Sequence, residues 1–275
     1  MDMEVTIMNS MEFCVGREVA EYAKKHLPTL LARNENYIAG NYDKALIESF
    51  VGIDSLLESE DGIKELKEIH GTPSAAQEKA KALSPYADSS DDSSPDTRGC
   101  TSTVILVKNR NLYIANAGDS RAVLATRGIA IDLTIDHKPD SDKEKTRIVK
   151  AGGSVTNGRV ESNLNLSRAL GDLKYKKNKK LKPEEQIISS YPDVVKQPIS
   201  DKFDFIVIGC DGIYDSKSSQ KVVDFIYKQF KDAPDAKLST YLEKFMDDNL
   251  SPHYSKTEGL GCDNMTCVLI KFIHP

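Results

Sequence analysis

A nearly continuous apolar run, FDFIVIGC at residues 203–210, constrains the fold of this chain more than any other segment. A strand covered on one face alternates apolar and polar residues, whereas a strand buried on both faces reads as an unbroken apolar run. The run stops abruptly at the polar sequence DGIYD, so Asp211 follows the predicted strand directly. The sequence therefore predicts a central strand covered by other layers on both sides.

Shorter segments supply the remaining elements. Residues 103–107, 111–117 and 122–126 are rich in β-branched residues with period two, which predicts consecutive strands, the first two joined by a turn at Asn109 and Arg110. Apolar residues at three- and four-residue spacing predict helices in four regions: 16–30, 45–57, 222–230 and 238–246. A last strand is predicted at 265–273. Strands and helices occur in blocks rather than as regular βαβ units, which favours an α+β layered sandwich over a doubly wound sheet.

Local signals complete this outline. Ser141-Asp142-Lys143-Glu144 has the form of a capping box, which predicts a short helix that stops at Gly152-Gly153. The basic stretch 174–182 is predicted to be exposed. Residues 71–98 contain the polar, acidic string ADSSDDSSPDT and are interpreted as a loop within a single domain spanning residues 1–275.

Composition limits the partners and the cellular compartment expected for this chain. The chain has 37 basic and 42 acidic residues, a net charge of −5, whereas nucleic-acid binding usually shows a basic excess. No apolar run approaches the roughly 18 residues that a membrane span needs. Five cysteines, odd in number and without a CxxC pair, favour a reduced cytoplasmic or nuclear setting over a secreted disulfide framework.

Carboxylates at strand ends are the candidate functional residues. They lie in three similar segments, AGDSR, CDGIYD and GCDNMT, and are Asp119, Asp211, Asp215 and Asp263. Glycine beside such a residue lets the chain turn sharply, so that carboxylates from several strands can share a pocket. Clustered carboxylates repel one another unless a cation lies among them, and hard oxygen ligands suit Mg²⁺ or Mn²⁺. The alternative is that each aspartate belongs to an ordinary turn or caps a helix.

Five longer strings resemble successive motifs of the metal-dependent (type 2C) protein phosphatase family, in that family's order. They are GCTSTVILVKNRNLYIANAGDSRAVL, LTIDHKPDSDKEKTRIVKAGGSV, LSRALGD, FIVIGCDGIYD and GCDNMTCVLIKF. VGREVAEYAKKHLP and ALIESFVGIDSLL resemble the family's first two helices. The resemblance extends from about Gly16 to the C-terminus, interrupted by the Ser/Asp-rich stretch.

This resemblance implies a sandwich of two antiparallel sheets flanked by helices, with a binuclear Mg²⁺ or Mn²⁺ centre at one end. Asp211 and Asp263 match the family's C-terminal metal ligands, and Asp119 and Asp215 match positions that, with Asp211, hold a third metal. The implied activity is hydrolysis of phosphoserine and phosphothreonine in phosphoprotein substrates by a metal-activated water. The implied oligomeric state is a monomer.

Other motif residues receive different roles from the resemblance. Tyr214 stands where the family usually has Trp, and residues 152–176 correspond to the family's flap beside the active site. The remaining polar motif residues are predicted to be structural: Ser167, Arg168, Asp172 and His137.

The N-terminal segment departs from the family pattern. The family has an RxxMED-like segment followed by a strand that ends in FDGHGG, whose aspartate bridges both metals, and neither string occurs here. Counting back from Gly16 places Glu12 at the bridging position, as a weak replacement ligand. The arginine that grips the phosphate has no candidate, and N-terminal strands are expected to be missing from the sandwich.

Three hypotheses follow from this departure. The first is an active phosphatase whose true N-terminus lies upstream. The second is a catalytically impaired pseudophosphatase that binds phosphoproteins or regulates a partner. The third is a structural domain without phosphate affinity.

Overall fold

The structure, a computed structural model, describes residues 16–71, 97–251 and 261–273, together with the backbone of Val5–Met8. Its helices are α1 Arg17–Arg33, α2 Glu35–Ile38, α3 Tyr42–Leu57, α4 Glu60–Gly71, α5 Asp142–Lys150, α6 Asp211–Tyr214, α7 Ser219–Asp232 and α8 Leu238–Asn249. Its strands are β1 Val5–Met8, β2 Gly99–Cys100, β3 Ser102–Lys108, β4 Asn111–Ala117, β5 Arg121–Thr126, β6 Ile129–Asp132, β7 Val155–Thr156, β8 Arg159–Val160, β9 Leu170–Gly171, β10 Asp193–Pro198, β11 Phe205–Gly209 and β12 Cys267–Lys271.

Two antiparallel sheets form the centre of the fold. Their strand orders are β1-β3-β4-β10 and β12-β11-β5-β6. Strand β11 pairs with β5 on one side and β12 on the other, and all five of its residues are buried. The predicted central strand is therefore confirmed, and so is the α+β class with two antiparallel sheets.

Alternate residues of the strands face different layers. From β11, Ile206 and Ile208 pack against the other sheet, while Phe205 and Val207 pack against α7 and α8. The first sheet shows the same alternation. Ile105 of β3 faces the core between the sheets, and Val104 and Leu106 on either side of it pack against α1 and α3. Both faces of each sheet are thus covered by apolar side chains, which explains the unbroken apolar run in the sequence.

An N-terminal strand is present, although sequence analysis expected the N-terminal strands to be missing. The backbone of β1 pairs antiparallel with β3, with Val5 opposite Leu106 and Met8 opposite Thr103. The residues VTIM are rich in β-branched and apolar types, and the edge of β3 offers unpaired backbone groups to such a segment. Strand β1 therefore forms the edge of the first sheet.

The edge of the second sheet is β6. Its residues Ile129 and Ile131 are 60% and 44% exposed to solvent. The side chain of Gln220, on α7, covers the hydrogen-bonding groups of this edge. Its Oε1 accepts from the Ala130 N–H at 3.0 Å, and its Nε2 donates to the Gly128 carbonyl at 2.9 Å. The backbone edge is thereby partly satisfied within the chain.

Two local predictions hold only in part. The helix α5 begins where the capping box predicted, but Ser141 makes no side-chain cap and its hydroxyl donates to the Lys138 carbonyl at 3.0 Å. Glu144, the predicted partner in the box, is instead buried. The basic stretch is exposed at residues 177–180 and 182, as predicted, but the Lys176 side chain is only 7% exposed and is paired with Asp54 at 2.6 Å.

Two further local predictions concern the turn after β3 and the Ser/Asp-rich loop. Asn109 and Arg110 both have positive φ values, as a tight turn between β3 and β4 requires, so that turn is confirmed. The predicted Ser/Asp-rich loop falls largely on residues 72–96, outside the described residues. In the part of the chain that the structure describes, no helix is long and apolar enough to cross a membrane.

Candidate metal centre

The turn between β4 and β5 presents Asp119. Gly118 has a φ of 127°, and a Cβ at this position would lie 2.5 Å from Thr101 Cγ2, so both the backbone and the available space demand glycine. Thr101 and Ser120 are joined through their hydroxyls at 3.0 Å. The resulting turn leaves Asp119 only 1% exposed.

The two oxygens of the Asp119 carboxylate have different surroundings. Oδ2 accepts a hydrogen bond from Lys138 Nζ at 2.6 Å, whereas Oδ1 is buried without a hydrogen-bond partner. Burial raises the pKa of Asp119 to about 6, with Lys138 opposing the rise and the charge of Asp211 adding to it. This carboxylate is therefore only half satisfied by the protein.

Asp211 opens the short helix α6 directly after β11 and is 2% exposed. Its Oδ1 is also buried without a hydrogen-bond partner. Because its charge acts on Asp119, the ends of strands from the two sheets bring two unsatisfied carboxylates into one region. Sequence analysis predicted this convergence for these two aspartates.

The other two candidate aspartates lie at the margin of this region. The Asp215 side chain is 54% exposed and its Oδ1 lies 3.7 Å from Lys138 Nζ, and burial raises its pKa. Asp263 is exposed and its Oδ1 accepts from the Asn264 N–H at 2.7 Å. A Cβ on Gly212 would lie 2.3 Å from the Asn264 carbonyl, so glycine lets this loop pack against α6.

Lys138 lies beside the carboxylates of Asp119 and Asp215. The sequence did not reveal this position of the lysine. Burial would lower the pKa of Lys138, but Asp119, with smaller effects of Asp215 and Asp211, holds it above its ordinary value. Within the described residues, no three His, Cys, Asp or Glu side chains form a group that could hold a metal ion. The four-aspartate metal site remains a prediction, and Glu12 lies outside the described residues.

The chemistry of the donors nevertheless fits a divalent cation. Asp119 Oδ1 and Asp211 Oδ1 are carboxylate oxygens, the ligand type that Mg²⁺ and Mn²⁺ prefer. A buried anionic oxygen without a donor is costly, and a bound cation would offset that cost.

Three consecutive residues grip the turn that carries Asp119. Asp136 accepts two hydrogen bonds from Arg121, at 2.9 and 2.7 Å. His137 Nδ1 accepts from the Gly118 N–H at 3.1 Å, and Lys138 binds Asp119. The sequence did not reveal this clamp of residues 136–138, for which the local signal is the polar string DHKP.

A buried ionic network lies behind the clamp. Glu144 is 2% exposed and accepts hydrogen bonds from Arg168 Nη2 at 2.6 Å and Ser167 Oγ at 2.7 Å. Burial would raise its pKa, but the hydrogen bond from Arg168 and the charge of Arg147 lower the pKa of Glu144 to about 2. Ser167 and Arg168 therefore tie α5 to the base of the predicted flap.

Solved structures share this two-sheet sandwich. A serine-threonine phosphatase 2C from Toxoplasma gondii superposes with a TM-score of 0.68 at 17% identity, covering 94% of this chain and 82% of that one. A sex-determining protein of C. elegans gives a TM-score of 0.64 at 21% identity, covering 98% of this chain and 55% of that one. The architecture is thus the one found in type 2C phosphatases.

Sequence comparison assigns the family. The family model described as protein phosphatase 2C matches residues 3–255. Probable protein phosphatase 2C 6 of Paramecium tetraurelia is 43% identical over 257 residues, covering 94% of this chain and 79% of that protein. Probable protein phosphatase 2C 11 of Oryza sativa subsp. japonica is 37% identical over 291 residues, covering 100% of this chain and 79% of that protein. This chain belongs to the protein phosphatase 2C family, as the motif resemblance implied.

Proposed function

We propose that this chain hydrolyses phosphoserine and phosphothreonine in protein substrates with the help of Mg²⁺ or Mn²⁺. The observation that carries the proposal is the pair of buried carboxylate oxygens without donors, Asp119 Oδ1 and Asp211 Oδ1. Both aspartates belong to family motifs at strand ends, AGDSR and CDGIYD. A divalent cation would supply the partner that these two oxygens lack.

The residues have separate roles in this proposal. Asp211 and Asp263 would hold the principal cation, and Asp119 and Asp215, with Asp211, a further one. When bound, the metal supplies a water of lowered pKa and positive charge to offset the phosphoryl oxygens. Lys138 orients Asp119 through its 2.6 Å hydrogen bond and adds a fixed positive charge to the site.

A second candidate function is favoured by the same lysine. Its ammonium already neutralises part of the carboxylate cluster, so the site can persist without a full complement of metals. In that case the chain is a pseudophosphatase that binds phosphoproteins without turnover. Glu12, the weak candidate for the bridging position, then has no role in a reaction.

We also propose a single-domain monomer, spanning residues 1–275, that works in the cytoplasm or nucleus without a nucleic-acid partner. The five cysteines, odd in number and without a CxxC pair, support a reducing compartment. The net charge of −5 supports the exclusion of nucleic acid.

The test is Mn²⁺-dependent release of phosphate from a phosphothreonine peptide by the full chain. Asp211→Asn removes the charge of the buried ligand, and we expect turnover to fall by about 10²–10³. Asp235→Asn, an exposed aspartate between α7 and α8, is the matched control and should keep full activity.

Either result is decisive. Turnover that chelator and Asp211→Asn both abolish supports the phosphatase, and Glu12→Gln then tests the replacement ligand. Absence of turnover from a folded chain overturns it, and binding of the phosphopeptide without turnover supports the second candidate.

A further inference from the structure

We infer that His137 is a positioning residue for Asp119, acting through the backbone of Gly118. The functional meaning of this inference rests on the proposed function, because Asp119 is one of the proposed metal ligands. The hydrogen bonds of the clamp, residues 136–138, do not themselves depend on any metal.

His137 holds Gly118 by two hydrogen bonds. The Gly118 N–H donates to His137 Nδ1 at 3.1 Å, and the His137 N–H donates to the Gly118 carbonyl at 3.1 Å. An N–H group can only donate, so Nδ1 must be the acceptor and the ring proton lies on Nε2. Both polar groups of the glycine before Asp119 are thus bound by one residue.

The far side of the imidazole is fixed as well. His137 Nε2 lies 3.2 Å from Asp193 Oδ2, so its proton is donated to that carboxylate. Asp193 is held in turn by Arg168 Nη1 at 2.9 Å and Lys143 Nζ at 3.1 Å. The ring is 3% exposed and cannot rotate without breaking contacts on both edges.

The backbone of His137 is anchored to the flap. Its carbonyl accepts from the Ser167 N–H at 3.0 Å and lies 2.8 Å from Ser167 Oγ. Ser167 also binds Glu144 in the buried ionic network. A continuous set of hydrogen bonds therefore runs from the base of the flap through His137 to the residue before Asp119.

The two residues beside His137 bind the same turn, so the contacts of residues 136–138 are directed at that turn. Lys138 binds the Asp119 carboxylate, and Asp136 binds Arg121 two residues further along. A shift of His137 would move all three contacts together. Residues 136–138 therefore bind both the backbone before Asp119 and its carboxylate, and Asn116 Nδ2 also donates to the Gly118 carbonyl at 3.1 Å.

Two substitutions divide the functions of the ring. Asn can place an acceptor where Nδ1 lies and so keep the Gly118 hydrogen bond, while it loses the contact with Asp193. Gln can place a polar group where Nε2 lies and so keep the contact with Asp193, while it loses the acceptor for Gly118. His26→Gln is the control, because His26 also binds a carboxylate, Glu65, but on the contact between α1 and α4.

The full chain carrying His137→Asn or His137→Gln is examined by metal-free crystallography and by calorimetric titration with Mn²⁺. We expect Asp119 to keep its contact with Lys138 in His137→Asn and to lose it in His137→Gln. We expect Mn²⁺ affinity about tenfold weaker in His137→Gln and within about threefold of the parent in His137→Asn and His26→Gln. Thermal unfolding of each variant establishes that it is folded.

Equal loss of Mn²⁺ affinity in both His137 variants, or an unmoved Asp119 in His137→Gln, would overturn the inference. A parent chain that neither binds Mn²⁺ nor releases phosphate overturns the proposed function instead. In that event the crystal structures alone decide whether His137 positions Asp119.

Discussion

The ammonium of Lys138 lies 2.6 Å from Asp119 Oδ2 and 3.7 Å from Asp215 Oδ1. It is a fixed monovalent cation among carboxylates that are proposed to hold a divalent one. Two unit charges about 4 Å apart interact by about 4 kcal/mol at an effective dielectric constant of 20. The lysine therefore orders the Asp119 carboxylate while it weakens the attraction of the pocket for further cations.

Replacing Lys138 with Met should increase Mn²⁺ affinity. The substitution removes the competing charge and frees Asp119 Oδ2, so we expect binding at least about tenfold tighter in calorimetric titration. Lys145→Met on the exposed face of α5 is the control and should leave the affinity unchanged. Unchanged or weaker binding by Lys138→Met would show that the lysine does not compete with metal.

Substituting Gly118 with Ala should destabilise the fold more than the same change at Gly128. Both glycines have positive φ, 127° and 83°, but a Cβ meets Thr101 at 2.5 Å only at Gly118, while Gly128 has open space. We expect about 1 kcal/mol for Gly128→Ala and at least about 2 kcal/mol more for Gly118→Ala, measured by urea unfolding. Similar losses at the two positions would contradict the close approach to Thr101.

The buried pair Glu144–Arg168 should show strong coupling. The two side chains are 2% and 5% exposed, so Arg168→Met leaves a buried carboxylate with less compensation. We expect a loss of about 3–5 kcal/mol for Arg168→Met, and a smaller loss for Glu144→Gln/Arg168→Met than the sum of the single changes. Urea unfolding of the four proteins in this cycle measures the coupling, and additive losses would refute it.

Asp172 should make stability fall as pH rises. Burial raises its pKa to about 7 from 3.8, so the folded chain keeps a proton that the unfolded chain has released. Between about pH 4 and pH 7 the folded state binds more protons, and its free energy of unfolding therefore decreases with pH.

Asp172→Asn removes this penalty and suits the left-handed backbone, whose φ is 50°. We expect the variant to gain on the order of a few kcal/mol relative to the parent between pH 5 and pH 8. Thermal unfolding over this range measures the difference. Asp235→Asn should show none, and a difference for Asp172→Asn that does not vary with pH would rule out the shift.

The sequence predicted those features that depend on burial along one segment. The apolar run 203–210 predicted β11 because both faces of that strand are covered. Contacts between distant segments leave no such periodic signal. Lys138 beside Asp119 and Lys176 beside Asp54 were missed for that reason.

The capping box failed for a related reason. Local spacing makes Glu144 a suitable partner for the start of α5, but the buried guanidinium of Arg168 attracts the carboxylate more strongly than a helix terminus does. Ser141 then turns to the Lys138 carbonyl. A tertiary ion pair thus overrides a local helix signal where Glu144 of α5 binds Arg168.

Gln220 has a consequence for the behaviour of the protein at high concentration. Strand β6 offers two exposed isoleucines beside a sheet edge, which is the combination that lets one β-protein add its strand to another. By binding the Ala130 N–H and the Gly128 carbonyl, this single amide side chain leaves fewer backbone groups open to a strand of a second molecule. The edge of this sheet is thus protected in part by a residue that lies on a helix rather than on the sheet itself.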